Sequence, residues 1–255
     1  MVTLFLSRKE FESRLEKIKQ KITERGLDAL YLTNHNRIFY ATGYHFIATR
    51  PQGCLITPDD DPMMFIPKLE EQRLKENWPM YKDITVYFEY PVKNRPSETI
   101  DILVKVFRDK KLAHKIIGTD GPALIPVPDF QPPSLSEKLP HAKLVYGGDV
   151  IDNMRMIKSN EELALIEEAA KWCNLAHALL HEYIKPGESE LEIASKASHE
   201  ATSIMLKALG PKYEPLGLMW TTARARFKAG KRIAYPHGYH RNRKVKKGDV
   251  VETSG

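Results

Sequence analysis

Asn153-Met-Arg-Met-Ile157-Lys158-Ser159-Asn-Glu-Glu162-Leu-Ala-Leu-Ile166-Glu-Glu-Ala169 is the stretch from which the rest of the chain is best read. Its middle is a helix start. Ser159 followed three residues later by Glu162 is a capping box, in which each side chain satisfies the other residue's backbone N–H. Leu163, Ile166, Ala170, Cys173 and Leu180 recur at helical spacing and predict a helix to about Tyr183. Pro186-Gly187 breaks it. Ser189-Glu-Leu-Glu192 predicts the cap of a further helix that runs to about Leu209. Gly217-Leu-Met-Trp220 and Asp249-Val-Val-Glu-Thr253 read as strands. Two long helices followed by strands predict an α+β domain over residues 151–255.

Upstream the pattern changes. Ser7-Arg-Lys-Glu10 reads as another capping box, with Phe11, Leu15, Ile18 and Ile22 on one helical face and Gly26 as the stop. Strands are predicted at 29–33, 53–56, 63–66, 84–88, 115–119 and 143–146, and helices at 68–76 and 97–107. Pro58-Asp-Asp-Asp-Pro62 is a turn between two of the strands, and the proline-rich residues 122–140 read as irregular. Alternating strands and helices predict an α/β domain with a mixed sheet over residues 1–150, ending where Gly147-Gly-Asp149 shifts the composition.

Composition sets bounds. The 255 residues are 42% hydrophobic and 28% charged, as in soluble globular proteins. No run of 18 apolar residues occurs, so no membrane partner is expected. Cys54 and Cys173 sit in apolar surroundings and read as core fillers, which fits a reducing, cytoplasmic setting. The net charge of +6 is unevenly placed: residues 215–248 hold ten Lys or Arg and no acid. That stretch reads either as a polyanion-binding face or as a segment whose acidic partners lie elsewhere in the same domain. The second reading is preferred, and nucleic acid is not expected as a partner.

Three stretches together resemble the creatinase/aminopeptidase P/prolidase family of pita-bread-fold proteins. The first runs from Arg14-Leu15 through Gly26-Leu-Asp-Ala-Leu30 to Asn36-Arg-Ile-Phe-Tyr40-Ala-Thr42-Gly43-Tyr44, similar to the family's helix, turn, strand and aromatic-x-Thr-Gly-aromatic loop. The second is the stretch quoted first, which resembles a hinge strand entering the first long helix; Lys185-Pro-Gly-Glu-Ser-Glu190 follows as the turn to the next helix. The third is Tyr235-Pro236-His237 followed by Gly248-Asp249.

The resemblance implies a creatinase-like amino-terminal domain and the first part of a pita-bread catalytic domain. It implies hydrolysis of a carbon–nitrogen bond, next to proline or a similar constrained nitrogen, in a small peptide or small-molecule substrate. Most members hold two divalent metals such as Mn²⁺, Co²⁺ or Zn²⁺ through two Asp, one His and two Glu. This chain departs from that pattern. The first ligand position, five residues after Asp249, is Ser254, which brings no charge to a cation. The other four positions would lie beyond Gly255, so no metal ligand is assigned here and no cofactor is expected in this chain alone. Creatinase itself shares the fold and works without a metal pair. A non-catalytic relative that binds protein or polyanion through residues 215–248 is the alternative.

His237 matches the family's substrate-contacting histidine, a group suited to orienting or protonating a tetrahedral intermediate. His240, Arg50 and His45 are further substrate-contact candidates: His240 for its place beside His237, Arg50 and His45 for their place in and after the Thr42-Gly43 loop. An arginine there suits bidentate contact with an anionic group. Asp249 is expected to cap the turn into the last strand, and Trp220 and Tyr235 to pack the second sheet. The chain stops as that strand opens, which leaves backbone groups for another molecule or a further segment to pair. A homodimer is expected, because an unfinished second domain would expose apolar helix faces for a partner to cover.

Overall fold

Ala29–Leu32 is buried at every residue, as a strand covered on both faces must be. A computed structural model describes residues 4–45, 50–77, 83–88, 96–122, 133–215, 223–235 and 241–254. They fall into two compact units, Leu6–Lys158 and Ser159–Gly255 with Met1–Phe5.

In the first unit, helix α1 (Arg8–Glu24) starts where Ser7 Oγ accepts the Glu10 N–H at 3.1 Å. Strand β1 (Ala29–Leu32) and helix α2 (His35–Thr42) follow. Next come β2 (Gly53–Ile56), β3 (Met63–Pro67), one turn of 3₁₀ helix (Lys68–Glu70) and α3 (Glu71–Asn77). The unit continues with β4 (Ile84–Tyr87), α4 (Pro96–Asp109), β5 (Ile116–Thr119), α5 (Leu135–Lys138), β6 (Lys143–Tyr146) and α6 (Asp149–Met156). The sheet order is β4-β3-β2-β1-β5-β6. The pairs β1/β2 and β2/β3 are antiparallel and the other three parallel, so the sheet is mixed as expected.

The two-residue period of the strands sorts their side chains into two cores. Leu30, Leu32, Cys54, Ile56, Met64 and Ile66 pack with Ile18, Ile22, Ile38, Val150 and Ile151 from α1, α2 and α6. Ala29, Tyr31, Leu55, Met63 and Phe65 pack on the other face with Ile100, Leu103, Val104 and Phe107 of α4. Each such fully buried aliphatic or aromatic side chain contributes about 1.5–3 kcal/mol. On that second face Gly53 makes room for the Tyr31 ring of the neighbouring strand, where a Cβ would lie 2.1 Å from the hydroxyl.

Three local expectations are corrected. The aromatic-x-Thr-Gly stretch is not a loop but helix α2, capped by Asn34, whose side chain accepts the N–H groups of Asn36 and Arg37; it ends at Gly43 with φ 75°. The hinge strand at Asn153 is helix α6: Asp149 and Asp152 sit in its first turn, which favours negative charge, and Val150 and Ile151 are buried beneath it. The stretch expected to be irregular contains α5, started by a Ser134–Glu137 capping box.

The second unit opens with the predicted capping box. Ser159 Oγ accepts the Glu162 N–H and the Glu162 carboxylate accepts the Ser159 N–H, starting α7 (Asn160–Tyr183). Then come α8 (Glu190–Leu209), β7 (Arg226–Ala229), a 3₁₀ segment (Gly230–Ala234) and β8 (Val251–Ser254), antiparallel to β7. Ala176, Leu179 and Leu180 of α7 pack with Ile193, Ala194, Ala197 and Ala201 of α8 and with Ala225, Phe227 and Ala229. The small residues let β7 lie close on α8. The predicted face of α7 is corrected in its first half, where Leu163 and Ile166 are exposed.

Candidate functional site

His237 and His240 lie outside the described residues, as does Trp220. The residues on both sides of the His237 segment are described, and both ends are tied down. Before it, the Tyr235 N–H donates to the Arg232 carbonyl at 3.0 Å, and Lys228 Nζ donates to the Tyr235 carbonyl at 3.0 Å. Tyr235 itself is 63% exposed, which corrects its expected packing under the sheet. After it, the Arg241 N–H donates to Glu190 Oε2 at 3.4 Å.

Glu190 is the centre of this arrangement. It stands in the first turn of α8 and is fully buried. Its carboxylate accepts from the Ala229 N–H at 3.3 Å, from Arg232 Nη1 at 3.1 Å and from Arg243 Nη1 at 3.5 Å. A buried carboxylate needs such partners, because leaving water is costly for an unpaired charge. The backbone adds more ties. Glu190 N–H donates to the Arg243 carbonyl, and Glu188 and Gly187 exchange hydrogen bonds with Val245. Ser189 does not cap α8 as expected; its hydroxyl donates instead to Asn242 Oδ1 at 2.8 Å. The turn at Lys185-Pro-Gly is thereby zipped to residues 242–245.

Arg243 passes the connection on. Its Nη2 donates to both oxygens of Asp249, at 3.0 and 2.8 Å. Asp249 also accepts the Lys246 N–H at 2.8 Å, so it does cap the turn before β8. That backbone hydrogen bond, and then Arg243, hold its carboxyl below the ordinary carboxylate range. Gly230 (φ 69°) lies against this pair, where a Cβ would come within 3.0 Å of both Arg243 Nη2 and Asp249 Oδ1.

Beside this network runs the β7–β8 ladder, with Arg226 opposite Ser254 and Lys228 opposite Glu252. Lys228 Nζ and Glu252 Oε2 are 2.7 Å apart. Among the described residues no cluster of three or more His, Cys, Asp or Glu could hold a metal ion. The nearest carboxylate to Ser254 in the strand, Glu252, is already neutralised by a lysine, and the register neighbour of Ser254 is a cation. These residues do not fit a divalent ion, which needs uncommitted anionic or neutral donors.

His45 and Arg50 belong to the first unit. His45 meets the Phe39 ring edge-on at 6.0 Å, and its buried Nδ1 has no hydrogen-bond partner among the described residues. Burial, first, and the nearby Arg73 charge hold its imidazole below the usual histidine value. Arg50 is half-buried in a bend. Nearby, Thr42 Oγ1 accepts the Tyr44 N–H and the Tyr44 hydroxyl bonds Glu70 Oε2 at 3.1 Å, which fixes the end of α2. Sequence reasoning missed Glu190, Arg232 and Arg243 altogether. The available signal was the acid-free basic stretch, which demanded a buried acid from elsewhere in the unit.

The family model described as Creatinase/Prolidase N-terminal domain matches residues 14–157. An ectoine hydrolase of Halomonas elongata is 24% identical over 244 residues, covering 92% of this chain and 59% of that protein. A Xaa-Pro dipeptidase of Pyrococcus furiosus is 24% identical over 253 residues, covering 94% and 59%. The crystal structure of the prolidase from Pyrococcus horikoshii OT3 superposes with a TM-score of 0.64 at 22% identity, over 94% of this chain and 59% of that one. The chain thus spans about 59% of the length of the curated relatives it matches.

Proposed function

Because this chain belongs to the Creatinase/Prolidase N-terminal domain family, we propose that it is part of a hydrolase of the Xaa-Pro dipeptidase or creatinase type, cleaving a carbon–nitrogen bond in a small substrate. One observation carries this reading: hydrogen bonds from Lys228 to the Tyr235 carbonyl and from the Arg241 N–H to Glu190 hold the residues on both flanks of the segment that holds His237. A group that moves a proton in a transition state must be held in place, and fixing the ends of its loop is how a scaffold does so. His237 would then orient the scissile group and donate the proton to the leaving nitrogen. No step is routed through a metal pair, since the residues around Ser254 do not fit one. That favours the creatinase-type branch, with a polar or zwitterionic substrate. We propose in addition that the protein works as a homodimer, a state that sedimentation equilibrium at micromolar concentration measures.

The test uses the protein that carries this chain. Release of proline from Xaa-Pro dipeptides and of urea from creatine is measured with and without added Mn²⁺. Turnover of either substrate that falls about a hundredfold or more in His237→Ala supports the reading. Turnover that the variant leaves unchanged removes His237 from the mechanism, and no turnover of any small amide favours the binding-protein alternative.

A further inference from the structure

Two histidines meet at the entry end of β5 and β6. His114 and His141 stack with ring centroids 5.1 Å apart and planes inclined by 5°. Strand register puts them there. The two strands are parallel, with Ile116 beside Lys143 and Ile117 beside Leu144. Carried two residues back, the same offset sets His114 beside His141, at the separation of about 4.8 Å that neighbouring strands keep. The turns that enter the strands also match, Leu112-Ala-His114 and Leu139-Pro-His141. Leu112 and Leu139 are buried in one core, and Ala113 and Ala142 pack against it. Backbone hydrogen bonds close both turns: the Lys115 N–H donates to the Leu112 carbonyl at 3.1 Å and the Ala142 N–H to the Leu139 carbonyl at 3.0 Å. The Lys143 N–H then joins the turns at the Lys115 carbonyl, 2.9 Å away. Both imidazoles thus stand on fixed backbone. Among the described residues neither has a hydrogen bond or an ion pair. Lys115, next to His114, has its charge answered by Asp28 at 3.1 Å. The residues that place the pair, 112–144, all lie within the first unit.

We propose that His114 and His141 form a two-imidazole site for a borderline divalent transition ion, of which Zn²⁺ is the representative. Imidazole nitrogen suits zinc, copper and nickel, whereas Mg²⁺ and Ca²⁺ take oxygen donors. Zinc holds imidazole nitrogen at about 2.0–2.1 Å. Two rings on adjacent strands, committed to no other polar partner, reach one ion by side-chain rotation. Once the first has bound, the second is already close at hand, which raises its effective concentration. No third His, Cys, Asp or Glu joins the pair among the described residues, so water completes the shell. The bound ion would staple together the entry turns of two strands. The site stands apart from the hydrolase reading and uses none of the residues assigned to it.

The test reads binding without turnover, in the protein that carries this chain. Crystals soaked in zinc chloride are measured at the zinc absorption edge, and Zn²⁺ is titrated calorimetrically in solution. An anomalous peak within bonding distance of both rings is expected. His114→Gln and His141→Gln each leave one imidazole and are expected to remove the peak and weaken this binding about tenfold or more. Neither histidine belongs to a core, so both variants keep the fold, which circular dichroism checks. His199→Gln removes the single histidine of α8 and is expected to leave the binding unchanged. Excess Mg²⁺ is expected not to displace the zinc. A wild-type protein with no peak at the pair overturns the proposal, whatever the variants do. So does a peak that survives in either variant, or equal weakening by His199→Gln.

Discussion

Glu190 concentrates more consequence than any other side chain of the second unit. Its carboxylate has no solvent contact and answers two guanidinium groups and two backbone N–H groups. Removing one partner of a buried charge cluster costs more than the cluster itself contributes, because the remaining charges stay buried and unpaired. Glu190→Ala is expected to destabilise the protein by about 3 kcal/mol. Glu190→Gln keeps the shape and two acceptor sites and is expected to cost less. Urea unfolding measures both, and a loss below about 1 kcal/mol for the alanine variant would show that Arg232 and Arg243 find water easily. Arg243 is already 29% exposed at its side chain, so water is closer to it than to Arg232 at 15%.

Helix α6 illustrates how an element is claimed by its surroundings. Its sequence was read as a strand, but Val150 and Ile151 fill the core below α1 and α2. Arg37 of α2 then clamps it, donating through Nε and Nη2 to Asp152 at 3.1 and 2.6 Å. These hydrogen bonds are the main reason the Asp152 carboxyl lies below its ordinary value. A carboxyl with a depressed folded value contributes stability above the unfolded value of about 3.9, and loses it as pH falls through the folded value. Acid unfolding of the wild type should therefore include a proton taken up at Asp152 below about pH 4. Asp152→Asn is expected to narrow the difference in stability between pH 7 and pH 3. Denaturation midpoints at the two pH values decide this, and an unchanged difference would mean that the clamp is formed equally in the unfolded chain.

The molecule as a whole is two units with separate interiors. Among the described residues, both cores around the six-stranded sheet draw on Leu6–Lys158 alone, and the helix–hairpin core draws on later residues alone. A core that borrows nothing from outside needs nothing from outside to form. Residues 6–158 expressed alone are expected to unfold in one cooperative transition, seen by far- and near-ultraviolet circular dichroism at the same urea concentration. A broad transition without near-ultraviolet signal would show that the first unit needs the second. Both units expose large apolar side chains, Phe88, Met156 and Ile157 in the first and Leu163 and Ile166 in the second.

Much of this was legible from the order of residues. The Ser159–Glu162 box and the all-apolar strand at Ala29 are local patterns, and their period or cap chemistry acts over only a few residues. The family resemblance rested on such local stretches and holds. What no local pattern carries is which charges meet. Glu190 lies 42 residues before Arg232 and 53 before Arg243. Ser189 looked like a cap until folding brought Asn242 within 2.8 Å. The strand-like stretch at Asn153 became a helix once its apolar face had a core to enter. Short-range propensities are worth tenths of a kcal/mol, whereas burying one side chain or pairing one buried charge is worth several times more. Only the folded chain could therefore choose among the partners that the residue order allowed.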